Sequence, residues 1–340
     1  MTRTAAACAL CPDSRLEAYL EVSDPEISPE RFAIVRCASC GLFFANPRPP
    51  AEELIHYYPE NYSPYAFAAP KDFLPQDLYG RDSWKARFKR ALLRRCYGYP
   101  VDPAPSAAWA LAMPLLRVAA HGFARFPRFV RGGRLLEVGC STGAWLSLCR
   151  GLGWKVAGVE LNAKAAEFAR KRLGIEVFTG ELARAKLPDS SFDAVALSHV
   201  LEHLPDPLSA LREVRRVTKP GGSLYLSVPN LAALEPRVFG RYWDAWEVPR
   251  HLYHFTPSTL RRIVERAGFE LLDLRGELFN NGLDVGLSLR LLARARGWKR
   301  VERALSNRAV RIVAAFYSPL GVPLAALGLG TRLLLHAKKP

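Results

Sequence analysis

Four of the seven cysteines stand in two close pairs, Cys8-x2-Cys11 and Cys37-x2-Cys40. In a CxxC pair two thiolates reach one side of an ion, and a second pair closes the tetrahedron of a four-cysteine zinc site. Gly41, just past the second pair, is the residue type a tight knuckle turn needs. Four thiolates leave no open coordination position, so the expected ion is a structural Zn2+ rather than a catalytic one. Free or redox-active thiols are the alternative, but neither CxxC opens a helix after a strand. The odd cysteine total and this pairing favour a reducing compartment over a disulfide framework. The stretch before Cys8 is also too short for a secretory leader, so a cytoplasmic place is expected. Cys96, Cys140 and Cys149 are isolated and are expected to serve packing or turns.

A second constellation works through backbone. Leu135-Leu136-Glu137-Val138-Gly139-Cys140-Ser141-Thr142-Gly143 is an apolar strand running into a small-residue turn, with a helical pattern from Ala144. Glycines let the main chain approach a ligand, and the first N–H groups of the helix are unpaired at the positive end of its dipole. Glu160, at the end of the next strand, is placed to accept a pair of ribose hydroxyls. A nicotinamide dinucleotide would require G-x-G-x-x-G, whereas this turn reads G-C-S-T-G. Glu137, on the strand leading in, suits an amino group better than a pyrophosphate.

The elements that position these residues alternate as in a parallel α/β sheet. Strands are predicted at 134–138, 155–159, 175–179, 192–197 and 223–228, mostly followed by a turn and a helix. A sixth is predicted at 269–274, after a helix marked by Thr256 as N-cap, Pro257 at its first position and Gly268 past its end. A seventh falls at 332–337. Five zones follow: a zinc-binding module at 1–60, a basic helical linker at 61–131, the cofactor-binding core at 132–275, a basic helical insertion at 276–331, and the final strand at 332–340.

From Leu135 to Phe269 the chain resembles the class I S-adenosylmethionine-dependent methyltransferases. Glu137 to Gly143 is similar to their first motif, with Ser141 where a middle glycine is usual, and Glu160 matches the ribose-binding acid. Gly180-Glu181, then Leu187-Pro188-Asp189-Ser190-Ser191-Phe192-Asp193, resembles the third and fourth strand region, where Glu181 or Leu182 would lie beside adenine. Ser198-His199-Val200-Leu201-Glu202-His203 matches the segment flanking the cofactor, and Lys219-Pro220-Gly221-Gly222 the turn before strand five. The resemblance implies a doubly wound, mostly parallel seven-stranded sheet whose last strand is antiparallel beside the fifth. It also implies S-adenosylmethionine contacts at Glu137, Gly139, Cys140, Ser141, Gly143, Glu160, Leu161, Glu181, Leu182, Ser198 and His203. Cys37 to Pro49 resembles the N-terminal zinc-binding segment of many bacterial enzymes of this type.

Methyl transfer asks the enzyme to position an acceptor and take up its proton. Pro249-Arg250-His251-Leu252-Tyr253-His254-Phe255 resembles a segment found after strand five in related enzymes, so His251 and His254 are candidate bases, with His199 a third. A neutral imidazole suits that task near pH 7, although one of these rings could instead bond the helix that follows. The expected acceptor is a sugar, a glycan precursor or a lipid-linked small molecule, methylated on oxygen. RNA is a weaker alternative, because the end of the fourth strand reads Ser198-His199-Val200-Leu201 in place of [DNS]-P-P-[YF] and the basic segments lack interleaved aromatic platforms. A non-catalytic protein that keeps the fold to bind partners is the other, and the intact acids Glu137 and Glu160 speak against it.

The net charge of +16 is concentrated. Residues 81–131 carry eleven Lys/Arg against two Asp, and residues 285–340 eleven against one Glu. In the first zone Trp84, Phe88, Ala91 and Leu92 share a helical face flanked by Arg and Lys. In the second, Val301, Leu305, Ile312 and Phe316 share one, with Arg303, Asn307 and Arg311 opposite and Arg308 breaking the pattern. The run 309–329 contains Arg311, Pro319 and Pro323, which is marginal against the about 20 clean residues a spanning helix needs. Peripheral contact with the anionic inner face of a membrane is therefore expected, with packing on the core or a dimer as the plainer alternative.

Overall fold

The computed structural model describes residues 3–24, 27–58, 84–101, 126–277 and 281–340. Much of the predicted basic linker, including Pro103 to Arg125, lies outside the described residues. Contacts divide the chain into two compact units: Met1–Glu60, His199–Leu211 and Leu226–His336 form one, and Asn61–Ser198, Arg212–Tyr225 and Ala337–Pro340 the other.

The predicted strands form a seven-stranded sheet of order β10-β11-β8-β7-β4-β5-β6. Its members are β4 (Arg134–Val138), β5 (Lys155–Glu160), β6 (Glu176–Thr179), β7 (Phe192–Ser198), β8 (Thr218–Pro229), β10 (Glu270–Gly276) and β11 (Arg332–Lys338). Pairings of β4 with β5 and β7, and of β5 with β6, are parallel. The last strand lies beside β8 and runs against it, since Asn230 N–H bonds Thr331 O while Gly221 N–H bonds Lys339 O. This is the strand order of a Rossmann-like methyltransferase sheet. The β8 strand begins five residues earlier than predicted and absorbs the Lys219–Gly222 turn.

In the second unit the core gathers Leu135, Leu146, Leu148, Cys149, Trp154, Ala166, Ala169, Val177 and Ala194. Helices α2 (Ala144–Gly151) and α3 (Ala163–Leu173) contribute small and aliphatic residues at helical spacing, and near-continuous apolar strands meet them, as a sheet covered on both faces requires. Helix α1 (Trp84–Tyr97) belongs here too. Ala91, Leu92 and Leu93 are fully buried, and Leu93 joins this core. Ala91 and Leu92 of the first helical face expected to meet a membrane are thus taken up by packing: an apolar side chain next to a large core gains more there than at an interface.

In the first unit β1 (Leu16–Asp24), β2 (Ser28–Cys37) and β3 (Phe43–Ala45) form an antiparallel sheet that is finished by β9 (Tyr253–His254). Alternation on β2 turns Phe32 and Ile34 inward, where Trp243, Trp246, Val248, Tyr57 and Leu231 meet them. The N-terminal segment is therefore not closed upon itself: its fourth strand comes from the segment after β8. Short helix α5 (Leu234–Phe239), then α4 (Pro207–Val217) and α6 (Pro257–Arg266), complete the helices around the sheets. Thr256 caps α6 through a capping box with Thr259, and Pro257 opens it. Between β10 and β11 the insertion folds as α7 (Asn281–Ala295), α8 (Lys299–Ala304) and α9 (Asn307–Ala326). Among the described residues no helix is long and apolar enough to cross a membrane.

Candidate functional site

The turn after β4 is built from left-handed residues. Gly139, Ser141 and Gly143 have φ of 72°, 48° and 75°. The turn is closed by its own chain: the Gly139 and Cys140 N–H groups both donate to Val159 O, Ser141 N–H to Glu160 Oε2 and Gly143 N–H to Cys140 O. Gly143 is also the N-cap of α2, with no side-chain cap bond, so the first N–H groups of that helix remain for a ligand. A Cβ on Gly143 would stand 3.0 Å from the Ala169 side chain, so the turn also needs glycine for the close approach of α3.

Glu160 ends β5 and is 4% exposed. Its Oε2 accepts the Ser141 N–H at 2.7 Å and its Oε1 accepts the Asn162 N–H at 2.7 Å. Burial pushes its pKa up, while backbone N–H groups of Asn162, Ser141 and Leu161 favour the charged form. A carboxylate offers about four acceptor positions, so lone pairs remain for two ribose hydroxyls. Leu161 beside it is 53% exposed, an uncovered apolar surface beside the ribose acid. Glu137 is buried on β4, and Cys140 is buried with burial holding its thiol protonated. Leu182 is buried, Glu181 is exposed and Ser198 ends β7 half-buried. These features fit S-adenosylmethionine: a helix terminus for the carboxylate, an acid for the ribose, an apolar side chain beside it.

One residue of this cradle was missed in the sequence. A Cβ on Gly158 would meet Cys140 Sγ at 2.5 Å, so glycine at that point of β5 makes room for the turn. Its only sequence signal is a glycine inside a strand pattern, which often marks close backbone approach.

The histidines are gathered in the first unit. His199 follows β7 directly, has φ of 54° and keeps its side chain 32% exposed. Its Nδ1 lies 3.2 Å from Oε1 of Glu202, which is fully buried. Oε2 of Glu202 has no hydrogen-bond partner among the described residues, and burial raises the pKa of this carboxyl. His203 places Nδ1 3.1 Å from Arg250 O and 3.0 Å from Tyr58 Oη. His251 donates Nδ1–H to Ala245 O at 2.8 Å and packs edge-on against His203, centroids 4.6 Å apart. Ligand atoms of Glu202, His203 and His251 lie within 4.8 Å of one another, close enough to reach a common ion.

His251 and His254 are each 3% exposed, against the expectation of acceptor-facing bases. Burial pushes His251 down to about 4 and His254 well below the usual histidine range. The ring of His254 packs on Trp246 with centroids 4.6 Å apart. Arg250 of the same segment is buried, bonded to Asp24 at 2.7 Å and Glu247 at 3.1 Å. Glu202 was not among the candidate site residues. Its signal was the acid three residues after His199, a spacing that brings side chains together in one helical turn.

Sγ atoms of Cys8, Cys11, Cys37 and Cys40 lie within 4.8 Å of one another, with Cys8 and Cys40 3.5 Å apart. Cys37 ends β2 and Gly41 turns the chain at φ of 75°. Burial opposes ionisation of Cys37, but hydrogen bonds from Ser14 and the backbone of Cys40 bring it to about 6. The N-terminal pair is held by α6, whose Arg266 donates to Leu10 O at 2.7 Å.

Against known proteins, a methyltransferase domain family matches residues 112–274. A ubiquinone biosynthesis O-methyltransferase of Thiobacillus denitrificans is 32% identical over 162 residues, covering 44% of this chain and 69% of that protein. One from Xanthomonas campestris is 33% identical over 161 residues, covering 44% and 67%. The crystal structure of an S-adenosylmethionine-dependent methyltransferase from Thermotoga maritima aligns over 68% of this chain and 93% of its own, with 19% identity and a TM-score of 0.43.

Proposed function

The chain belongs to the S-adenosylmethionine-dependent methyltransferases, and on that premise we propose that it methylates a hydroxyl oxygen of a sugar, a glycan precursor or a lipid-linked small molecule. The cofactor, when bound, supplies an electrophilic methyl group. Glu160 would hold its ribose, the N–H groups at the start of α2 its carboxylate, and Leu161 and Leu182 would offer apolar surface to the adenine. The relatives' role as O-methyltransferases in ubiquinone biosynthesis supports an oxygen acceptor and is consistent with a lipid-linked one.

The observation that carries the acid–base reading is the His199–Glu202 pair. Among His199, His251 and His254, only His199 keeps a substantial part of its side chain exposed, and its Nδ1 is steadied by a buried carboxylate. With Glu202 ionised, Nδ1–H donates to it; Nε2, which is itself buried, takes the proton of an acceptor that seats against it, and the carboxylate then stabilises the imidazolium. His251 and His254, buried and kept neutral, position this cluster. His199→Ala should lower turnover by about 100-fold while S-adenosylmethionine affinity in calorimetry is unchanged. The assay is label transfer from methyl-labelled cofactor to a panel of polyprenylated phenols, lipid-linked sugars and nucleotide sugars. Full turnover in the variant moves proton uptake to water, and label only in an RNA pool overturns the acceptor class.

The four cysteines, we propose, hold one structural Zn2+. Four sulfur donors in reach of one ion and no open position suit zinc in its closed, non-catalytic form.

A further inference from the structure

We propose that the outer face of the helical insertion 281–330 docks this protein on an anionic lipid bilayer. The inner face of α9 is accounted for. Val310 and Ala325 are buried, and Val310 packs so tightly on Gly286 of α7 that a Cβ there would meet it at 2.8 Å. Tyr317, on the same side, donates its hydroxyl to Glu235 at 2.5 Å. These positions recur at helical spacing and anchor α9.

The opposite side carries Arg308, Arg311, Ile312, Ala315 and Phe316, all exposed. Ile312 is 50% exposed and Phe316 80%, and Leu327 just past the helix is 73%. The basic and apolar residues therefore share one face, the basic ones at its start and the apolar ones beyond, rather than standing on opposite sides as the periodicity suggested. Trp298 and Val301, at 51% and 45%, extend the uncovered apolar surface onto α8. Nothing in the helix requires Phe316 to be aromatic if water is its permanent neighbour; an interface gives it an apolar phase.

Charge selects the occupant. Residues 294–311 carry seven Lys/Arg and a single acid, Glu302, which is already paired with Arg294 at 2.7 Å. A second copy of this face would oppose like charges, whereas anionic headgroups neutralise them and accept the adjacent aromatic and aliphatic side chains beneath. The surface rests on α7 to α9 alone and holds whatever the methyl acceptor is.

The test is flotation of the full chain with vesicles of phosphatidylcholine alone or with 30% phosphatidylglycerol (roughly the anionic fraction needed for electrostatic recruitment), with neither cofactor nor acceptor present. The protein should float with anionic vesicles at low salt, release at high salt, and show a blue shift of Trp298 emission lost in Trp298→Ala. Ile312→Glu with Phe316→Glu, and separately Arg308→Glu with Arg311→Glu, should each weaken partitioning by about tenfold or more. All four positions are exposed, and an unchanged circular dichroism melt establishes that the variants fold. Protein that stays at the bottom with anionic vesicles overturns the proposal, as does flotation equal to wild type in both double variants. A dimer in light scattering that Phe316→Glu dissolves, without flotation, assigns the face to a second copy and overturns it as well.

Discussion

Ser141 holds φ at 48° between two glycines, a conformation that costs an L-residue roughly 1–2 kcal/mol. The Glu160 carboxylate offsets that cost by accepting the Ser141 N–H at 2.7 Å, so one side chain both shapes the turn and presents lone pairs to a ribose. Glu160→Ala should consequently abolish measurable S-adenosylmethionine binding, because each charge-assisted bond lost is worth about 1.5–3 kcal/mol and the turn loses its brace. Calorimetry checks this; unchanged affinity would remove Glu160 from the site. The left-handed turn and the acid that braces it were legible apart from Gly158, since backbone-permissive turns and a following acid are local in sequence. Glu202 was harder to read: what makes it matter is complete burial, and burial is decided by what packs around it.

At the scale of elements, the cysteine site depends on strands from both ends of the chain. The turn after β2 places Cys37 and Cys40, β9 finishes the sheet, and α6 ties Leu10 down through Arg266. The purified protein should contain about one equivalent of zinc, as one closed four-cysteine site implies. Cys37→Ser should lose it and lower the melting temperature, while cofactor affinity should persist, because the proposed contacts at Glu160 and the start of α2 belong to the other unit. Metal analysis under reducing conditions checks this, and metal-free protein would end the assignment. Helix α1 carries a lesson at the same scale. Its apolar stripe and basic flanks were readable, but whether such a stripe meets lipid or core depends on what it docks against, and here Leu92 and Leu93 are fully buried.

For the whole molecule, the buried imidazoles link stability to pH. His251 titrates at about 4 when folded and near 6.5 when unfolded, and His254 is displaced further in the same direction. Their folded pKa values are depressed, so the unfolded chain binds more protons between these limits. Stability is fully present above about pH 6.5 and is lost as pH falls toward 4, by up to about 3 kcal/mol for a shift the size of that of His251. Glu202 acts in the opposite sense, because burial raises its pKa and acidification relieves its charge. Buried His203 acts with these two rings, and Glu160 and Glu235, whose pKa values burial also raises, act with Glu202, so the rings are read by difference: between pH 6.5 and 4.5 the melting temperature of His254→Phe should fall less than that of the wild type. Identical pH slopes in the two proteins would mean that the His254 ring is charged in the fold.

Taken alone, the amino-acid order determined the alternation of strands and helices, the position of the glycine-rich turn after β4 and of Glu160, the caps of α6, and the place of the insertion before the last strand. These follow from periodicity, turn chemistry and short spacings, which act within a few residues of chain. Tertiary structure alone decided that Tyr253–His254 completes the N-terminal sheet, that His251 and His254 are buried while His199 keeps an exposed edge, and that α1 faces the core while α9 leaves Phe316 in solvent. The physical reason is that burial, and with it the protonation state and reach of a side chain, is a property of surfaces brought together from distant segments. A histidine two residues from a strand end reads the same in sequence whether its neighbour is water or a tryptophan ring.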